Sequence, residues 1–170
     1  MKKVISSVAA ILLSYTVTAA PAEKLIPVGA YGIEYENAVR SVQQGDYKKA
    51  FPALLKYAQY GEKMAQYLVG TLLLTDEVGQ RDVSTGLAWL HVALEQDTPL
   101  WQQKYEAILE QVPAEALASL KPTFDDYVQK YGAETQAMRC KYERATGSNR
   151  RQHICRKIEV AEGKYKVVEY

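Results

Sequence analysis

The sequence predicts a mainly α protein: an α-solenoid of about three helix pairs followed by a small disulfide-linked β-hairpin or meander. Three observations carry this. Apolar and small residues recur at helical spacing over most of the segment 33–131. Part of that pattern returns after 35 residues, the shift that lays Ala53 and Ala58 on Ala88 and Ala93. Two cysteines, Cys140 and Cys155, stand symmetrically about a turn sequence between β-compatible runs.

Before these elements lies a leader. Lys2 and Lys3 precede a mostly apolar run from Val4 to Ala20, and Ala20-Pro21-Ala22 supplies small residues where a signal peptidase cuts. The run is short for a membrane span, which needs about 20 apolar residues. Residues 1–22 are therefore expected to be a signal peptide cleaved after Ala22, delivering the chain to the periplasm or outside the cell. No cysteine follows the apolar run, so a lipid anchor is not indicated, and no later run is long enough to span a membrane. Residues 23–32 are expected to be extended.

The helices follow in order. Ile33 to Gln44 supplies a first. Gly45 closes it, because glycine accepts the left-handed conformation found just past a helix end, and Asp46 suits the next N-cap. Ala50, Ala53, Leu54, Tyr57 and Ala58 then form one stripe. Pro52 removes one backbone bond and should kink this helix or confine its start. Gly61 ends it, and Met64, Ala65, Leu68, Leu72 and Leu73 form the next stripe. After a turn at 76–82, Leu87, Leu90, Ala93 and Leu94 make a third. Pro99 to Glu110 and Pro113 to Tyr131 add two more helices, with a break expected at Pro122. A helix pair of this kind cannot bury its apolar face alone, so neighbours must stack.

The stretch AQYLVGTLLL…DVSTGLAWLHVALEQ resembles the Sel-one-like repeat, a relative of the tetratricopeptide repeat. Ala65, Leu68 and Gly70 match its first helix, and Asp82, Ala88-Trp89 and Ala93 match its second. Gly86 stands where Ala is usual, Leu94 replaces a second Ala, and Asp97 replaces the closing Gly. The resemblance covers about residues 33–110. It implies a tetratricopeptide-like superhelix that binds proteins or peptides, with Trp89 buried between helices.

The C-terminal module, 139–170, has a different character. From Glu23 to Met138 the chain carries 10 basic and 16 acidic residues, whereas Arg139 to Tyr170 carries 9 basic and 4 acidic. A hairpin folded at Thr146 to Asn149 pairs Tyr142 with His153 and Cys140 with Cys155, which places the two sulfurs within bridging reach. In an oxidising compartment a disulfide follows. A zinc site using His153 and both cysteines is the weaker alternative, because such sites need a fourth ligand or an open water position. Glu162-Gly163 marks a second turn, and KYKVVEY a third strand.

Chemistry is hard to find. His91 sits within a helical repeat, Asp125-Asp126 are neighbours that do not face each other on a helix, and Ser84 and Ser148 have no base nearby in sequence. Neither a phosphate loop nor a helical two-histidine metal motif is present, and nothing calls for a cofactor or metal. The expected activity is non-enzymatic: a scaffold or adaptor that binds another envelope protein or peptide, not nucleic acid. Tyrosine gives large amphipathic contact area at low entropic cost, so Tyr35 and Tyr60 are candidate partner-binding residues. Arg139, Lys141, Arg144, Arg150, Arg151 and Arg156 form a basic hairpin that suits an acidic partner, or alternatively an anionic envelope polymer such as lipopolysaccharide or peptidoglycan. A hydrolase acting on cell-wall or antibiotic substrates is a third class, known among secreted helix-repeat relatives.

Overall fold

The computed structural model describes residues 20–144, 147 and 149–170, so residues 1–19, where most of the leader is expected, and Ala145, Thr146 and Ser148 lie outside the described residues. The chain runs β1 (Ala22–Pro27), α1 (Val28–Gln43), α2 (Tyr47–Gln59), α3 (Lys63–Thr75), α4 (Val83–Ala93), α5 (Pro99–Leu109), α6 (Ala114–Tyr131), β2 (Met138–Arg144), β3 (Arg151–Lys157), β4 (Glu159–Ala161) and β5 (Lys164–Glu169). Among the described residues no helix is long and apolar enough to cross a membrane.

Helices α1 to α4 stack in sequence order, and α6 rather than α5 then packs along α4. The last two helices are thus not a stacked pair like the earlier ones. One core runs through α1, α2 and α3 and reaches Trp89 of α4 and Val167 of β5. A second gathers Leu87, Ala88 and Leu90 of α4, Tyr105 of α5 and Phe124 of α6. Small residues set the spacing of α3 and α4. A Cβ on Gly70 would lie 2.8 Å from the Gly86 carbonyl and 2.8 Å from Leu90 Cγ, so the backbones meet where a side chain has no room. Asp82 caps α4 by accepting from the Thr85 N–H at 3.0 Å. Asp97 takes the left-handed conformation (φ 52°) where the repeat ordinarily has glycine.

Three local expectations change. Pro52 and Pro122 neither break nor confine their helices: α2 and α6 each continue through a proline. Both rings lie on exposed faces, where water can serve the carbonyl that loses its partner. Residues 23–32 are only partly extended, because α1 already begins at Val28. The third strand does not join the hairpin. Strands β2 and β3 form their own two-stranded sheet, while β5 lies between β1 and β4. The β1–β5 register brings Ala22 opposite Glu169 and Pro27 opposite Lys164.

A polar seam fastens the strands to the helices. Gln136, fully buried, donates to the Lys130 carbonyl at 3.0 Å. Gly61, at φ 92°, lies against it so closely that a Cβ would be 2.7 Å from Gln136 Cβ. Beside it, buried Lys63 binds Glu95 at 2.6 Å, and Glu95 also accepts from the Ala133 N–H at 2.8 Å. Lys157 donates to the Gln136 and Lys166 carbonyls at 2.5 and 3.0 Å. Burial pushes its ammonium down to about 7, with Glu62 nearby pulling the other way.

Candidate partner-binding clefts

The hairpin register is the one its turn requires: Cys140 faces Cys155 and Tyr142 faces His153. The two sulfurs form a disulfide, which takes up both thiols that a metal would need. Side chains alternate across a strand, so the basic residues divide between two faces. Arg139, Lys141 and Arg156 line a groove of about 370 Å³ shared with Glu159 and Tyr165 of the other sheet. Their charge there is partly matched, since Glu143 binds Arg156 at 2.7 Å and Lys141 at 3.4 Å. Arg144 is exposed at the end of β2.

Arg150 and Arg151 instead border a second cleft, about 520 Å³, between the hairpin and the first turn of α5. Met64, Pro99, Trp101 and Ile154 give it apolar surface. Met64 lies in the first turn of α3 but is 43% exposed, and it borders this cleft rather than the core its helical stripe suggests. Trp101 is held flat against Tyr67, with ring centroids 4.5 Å apart. Tyr142 spans the gap by donating to Asp97 Oδ2 at 2.5 Å, and Gln102 donates to the other oxygen at 2.7 Å. These bonds, Tyr142's first, hold the Asp97 carboxyl below the usual carboxylate range. Nδ1 of His153 is enclosed in the wall and has no hydrogen-bond partner among the described residues.

A third cavity, about 430 Å³, opens on the helical face between α2, α4 and α6, with Phe51, Leu55, Trp89, Tyr127 and Tyr131 inside and Arg81 at its edge. Trp89 is 2% exposed and lies 4.8 Å from both the Tyr127 and the Tyr131 rings.

The tyrosines singled out in the sequence lie elsewhere. Tyr60 is buried and donates to Glu169 at 2.6 Å. Tyr35 packs against the core, with its ring 5.1 Å from that of Tyr57. Burial raises both phenols above their ordinary range. They join strand to helix and helix to helix rather than lining either cleft. His91 is likewise engaged in packing, stacked on Phe124 at 5.0 Å and 3.3 Å from the Tyr105 hydroxyl. Sequence reasoning missed Met64, Asp97 and Trp101 as cleft residues. The one available signal was the apolar pair Leu100-Trp101 in a first helical turn, where polar residues are usual.

No protein-family model and no curated protein matches the sequence. Among solved structures the chain is similar to a protective antigen present in uropathogenic Escherichia coli strains, described as displaying an SLR fold, the Sel-one-like repeat. The TM-score is 0.52 and the identity 21%, over 70% of this chain and 27% of that one. The helical part has the SLR fold. The match spans about a quarter of the antigen's length, so it concerns the repeat architecture alone. Within the SLR array, α3 and α4 form the repeat whose Gly70, Asp82 and Trp89 carried the resemblance. The hairpin cleft lies where this array meets the disulfide-linked strands.

Proposed function

We propose that the protein is a non-enzymatic adaptor of the bacterial envelope, secreted or periplasmic, that holds a segment of another protein against its SLR array. The observation that carries this reading is the pair of open clefts lined by aromatic side chains from distant parts of the chain. Tryptophan, tyrosine and arginine are the residue types that dominate binding energy at protein interfaces, and here they sit on a frame braced by a disulfide. The disulfide and the leader-like N-terminus support an oxidising compartment. The stacking of His91 on Phe124 and its contact with Tyr105 support a packing role for that residue.

Binding of an anionic envelope polymer is the second reading. It is favoured by Arg139, Lys141 and Arg156 on one hairpin face and weakened by Glu143, which pairs with two of them.

The test is photo-cross-linking in the native host, with a benzophenone amino acid placed singly at Leu100, Arg81 and Glu115. The adaptor reading expects discrete protein adducts from Leu100 or Arg81, beside the two clefts, and none from Glu115. Silence at both cleft positions overturns it.

A further inference from the structure

We propose that the cavity between α2, α4 and α6 binds a small monocarboxylate with an apolar, preferably aromatic, body, the body lying among the rings and the carboxylate on Arg81. This goes beyond the adaptor reading, which concerns protein partners and stands or falls separately.

Three helices build the cavity in the same way. Phe51 and Leu55 of α2, Thr85 and Trp89 of α4, and Tyr127 and Tyr131 of α6 all line it. In each pair the residues are four apart, so each helix turns one stripe toward the same space. Phe51, Leu55, Tyr127 and Tyr131 stay only half-buried, so the stripes leave apolar surface that the fold does not fully cover. The volume of about 430 Å³ lies within the roughly 300–1,000 Å³ usual for small-molecule sites, which combine apolar walls with a few placed polar groups.

The polar groups collect at the start of α4. Gln80, Arg81 and Asp82 precede the helix and border the cavity, with Thr85 in its first turn. Asp82 is the one carboxylate among the lining residues, and it serves its own helix by accepting from the Thr85 N–H at 3.0 Å. Arg81 is exposed, and its side chain forms no hydrogen bond or ion pair among the described residues. A guanidinium holds a carboxylate through two parallel N–H donors, so Arg81 supplies the sign and the fork for one such group.

A cation would meet like charge at Arg81. A polyanion would use one arginine and gain nothing from the four aromatic rings. An uncharged hydrocarbon would leave Arg81 idle. A single carboxylate on an apolar body uses both features.

The test is titration calorimetry of the folded, disulfide-bonded protein with biphenyl-4-acetate, and with biphenyl-4-acetamide as its neutral counterpart. The carboxylate should saturate a single site. The amide should bind at least about tenfold more weakly, the equivalent of about 1.4 kcal/mol. Arg81→Gln should bring the carboxylate down to the amide's affinity, while Arg139→Gln in the hairpin groove leaves it unchanged. Both arginines are exposed, and thermal melts establish that each variant folds. Tryptophan emission reads the location. Trp89 and Trp101 are the chain's two tryptophans, so in Trp101→Phe the emission comes from Trp89 alone and should change over the same concentration range as the heat. If Trp101→Phe does not fold, the Arg81→Gln titration decides by itself. No saturable heat, equal affinity for acid and amide, undiminished binding in Arg81→Gln, or Trp89 emission that ignores the ligand overturns the proposal.

Discussion

Gln136 and Val168 are hydrogen-bonded in both directions: the Val168 N–H donates to Gln136 Oε1 at 3.1 Å, and Gln136 Nε2 donates to the Val168 carbonyl at 2.9 Å. A side-chain amide here does what a neighbouring strand would do. Gln136→Leu keeps much of the volume but leaves three backbone groups short of a partner, the buried Val168 N–H and C=O and the part-buried Lys130 C=O. Losses of this kind cost about 1–3 kcal/mol each, less where a group finds a second partner. The expected total is about 3 kcal/mol, a fall in Tm of roughly 6–12 °C for a chain of this size. Thermal unfolding followed by circular dichroism measures it, and an unshifted midpoint would show that the seam is dispensable.

Gly70→Ala should destabilise, although alanine favours helix over glycine by about 1 kcal/mol. The new Cβ would have to displace the Gly86 carbonyl and Leu90 at 2.8 Å, and overpacking of this kind costs about 1–3 kcal/mol. The sign of the change in urea midpoint decides between propensity and contact.

Trp89→Ala should cost about 3–5 kcal/mol, since the ring is 2% exposed and packs on Tyr127 and Tyr131. The same variant should open the aromatic cavity. A melting temperature close to the parent's would contradict both statements.

Reduction of Cys140–Cys155 removes a cross-link of separation 15, about 3 kcal/mol by loop entropy. The sequence groups 139–170 as one unit that should loosen together. The structure limits the expected loosening to β2 and β3, because Val167 is fully buried in the helical core and Val168 is clamped by Gln136. Hydrogen exchange should therefore quicken in the hairpin while β5 and the helices stay protected. Loss of protection in β5 would restore the single unit.

Lys157 gives a pH dependence whose sign is fixed. Unfolded, the amine titrates near 10.5; folded, burial holds it at about 7, against Glu62 and alongside Lys63 and Lys166. Between those values the unfolded chain binds a proton that the folded chain does not, so this residue makes stability rise with pH across the window. Below about pH 7 both states are charged and the cost of burying the ammonium is fully present. The difference in Tm between the parent and Lys157→Met should thus move in the parent's favour from pH 7 to pH 10. A constant difference would refute it.

How far the sequence could be read follows from where each signal lies. The α3–α4 pair was legible because Gly70, Asp82 and Trp89 act within one repeat. The disulfide was legible because Cys140 and Cys155 are equidistant from their turn. The pairing of β1 with β5 left no local trace, since Leu25 and Lys166 meet across nearly the whole chain. Tyr60 looked like an interface residue because composition does not reveal that Glu169 waits for its hydroxyl. The cleft was only half visible. Arg150 and Arg151 announced themselves by charge, but Met64 and Trp101 join them through packing that no spacing rule encodes.

Strand β5 lies beside β1, and its Val167 fills a place in the helical core. Deleting residues 164–170 would therefore strip β1 of its neighbour and open the core on one side. The product would not be a slightly smaller protein but an unsealed one.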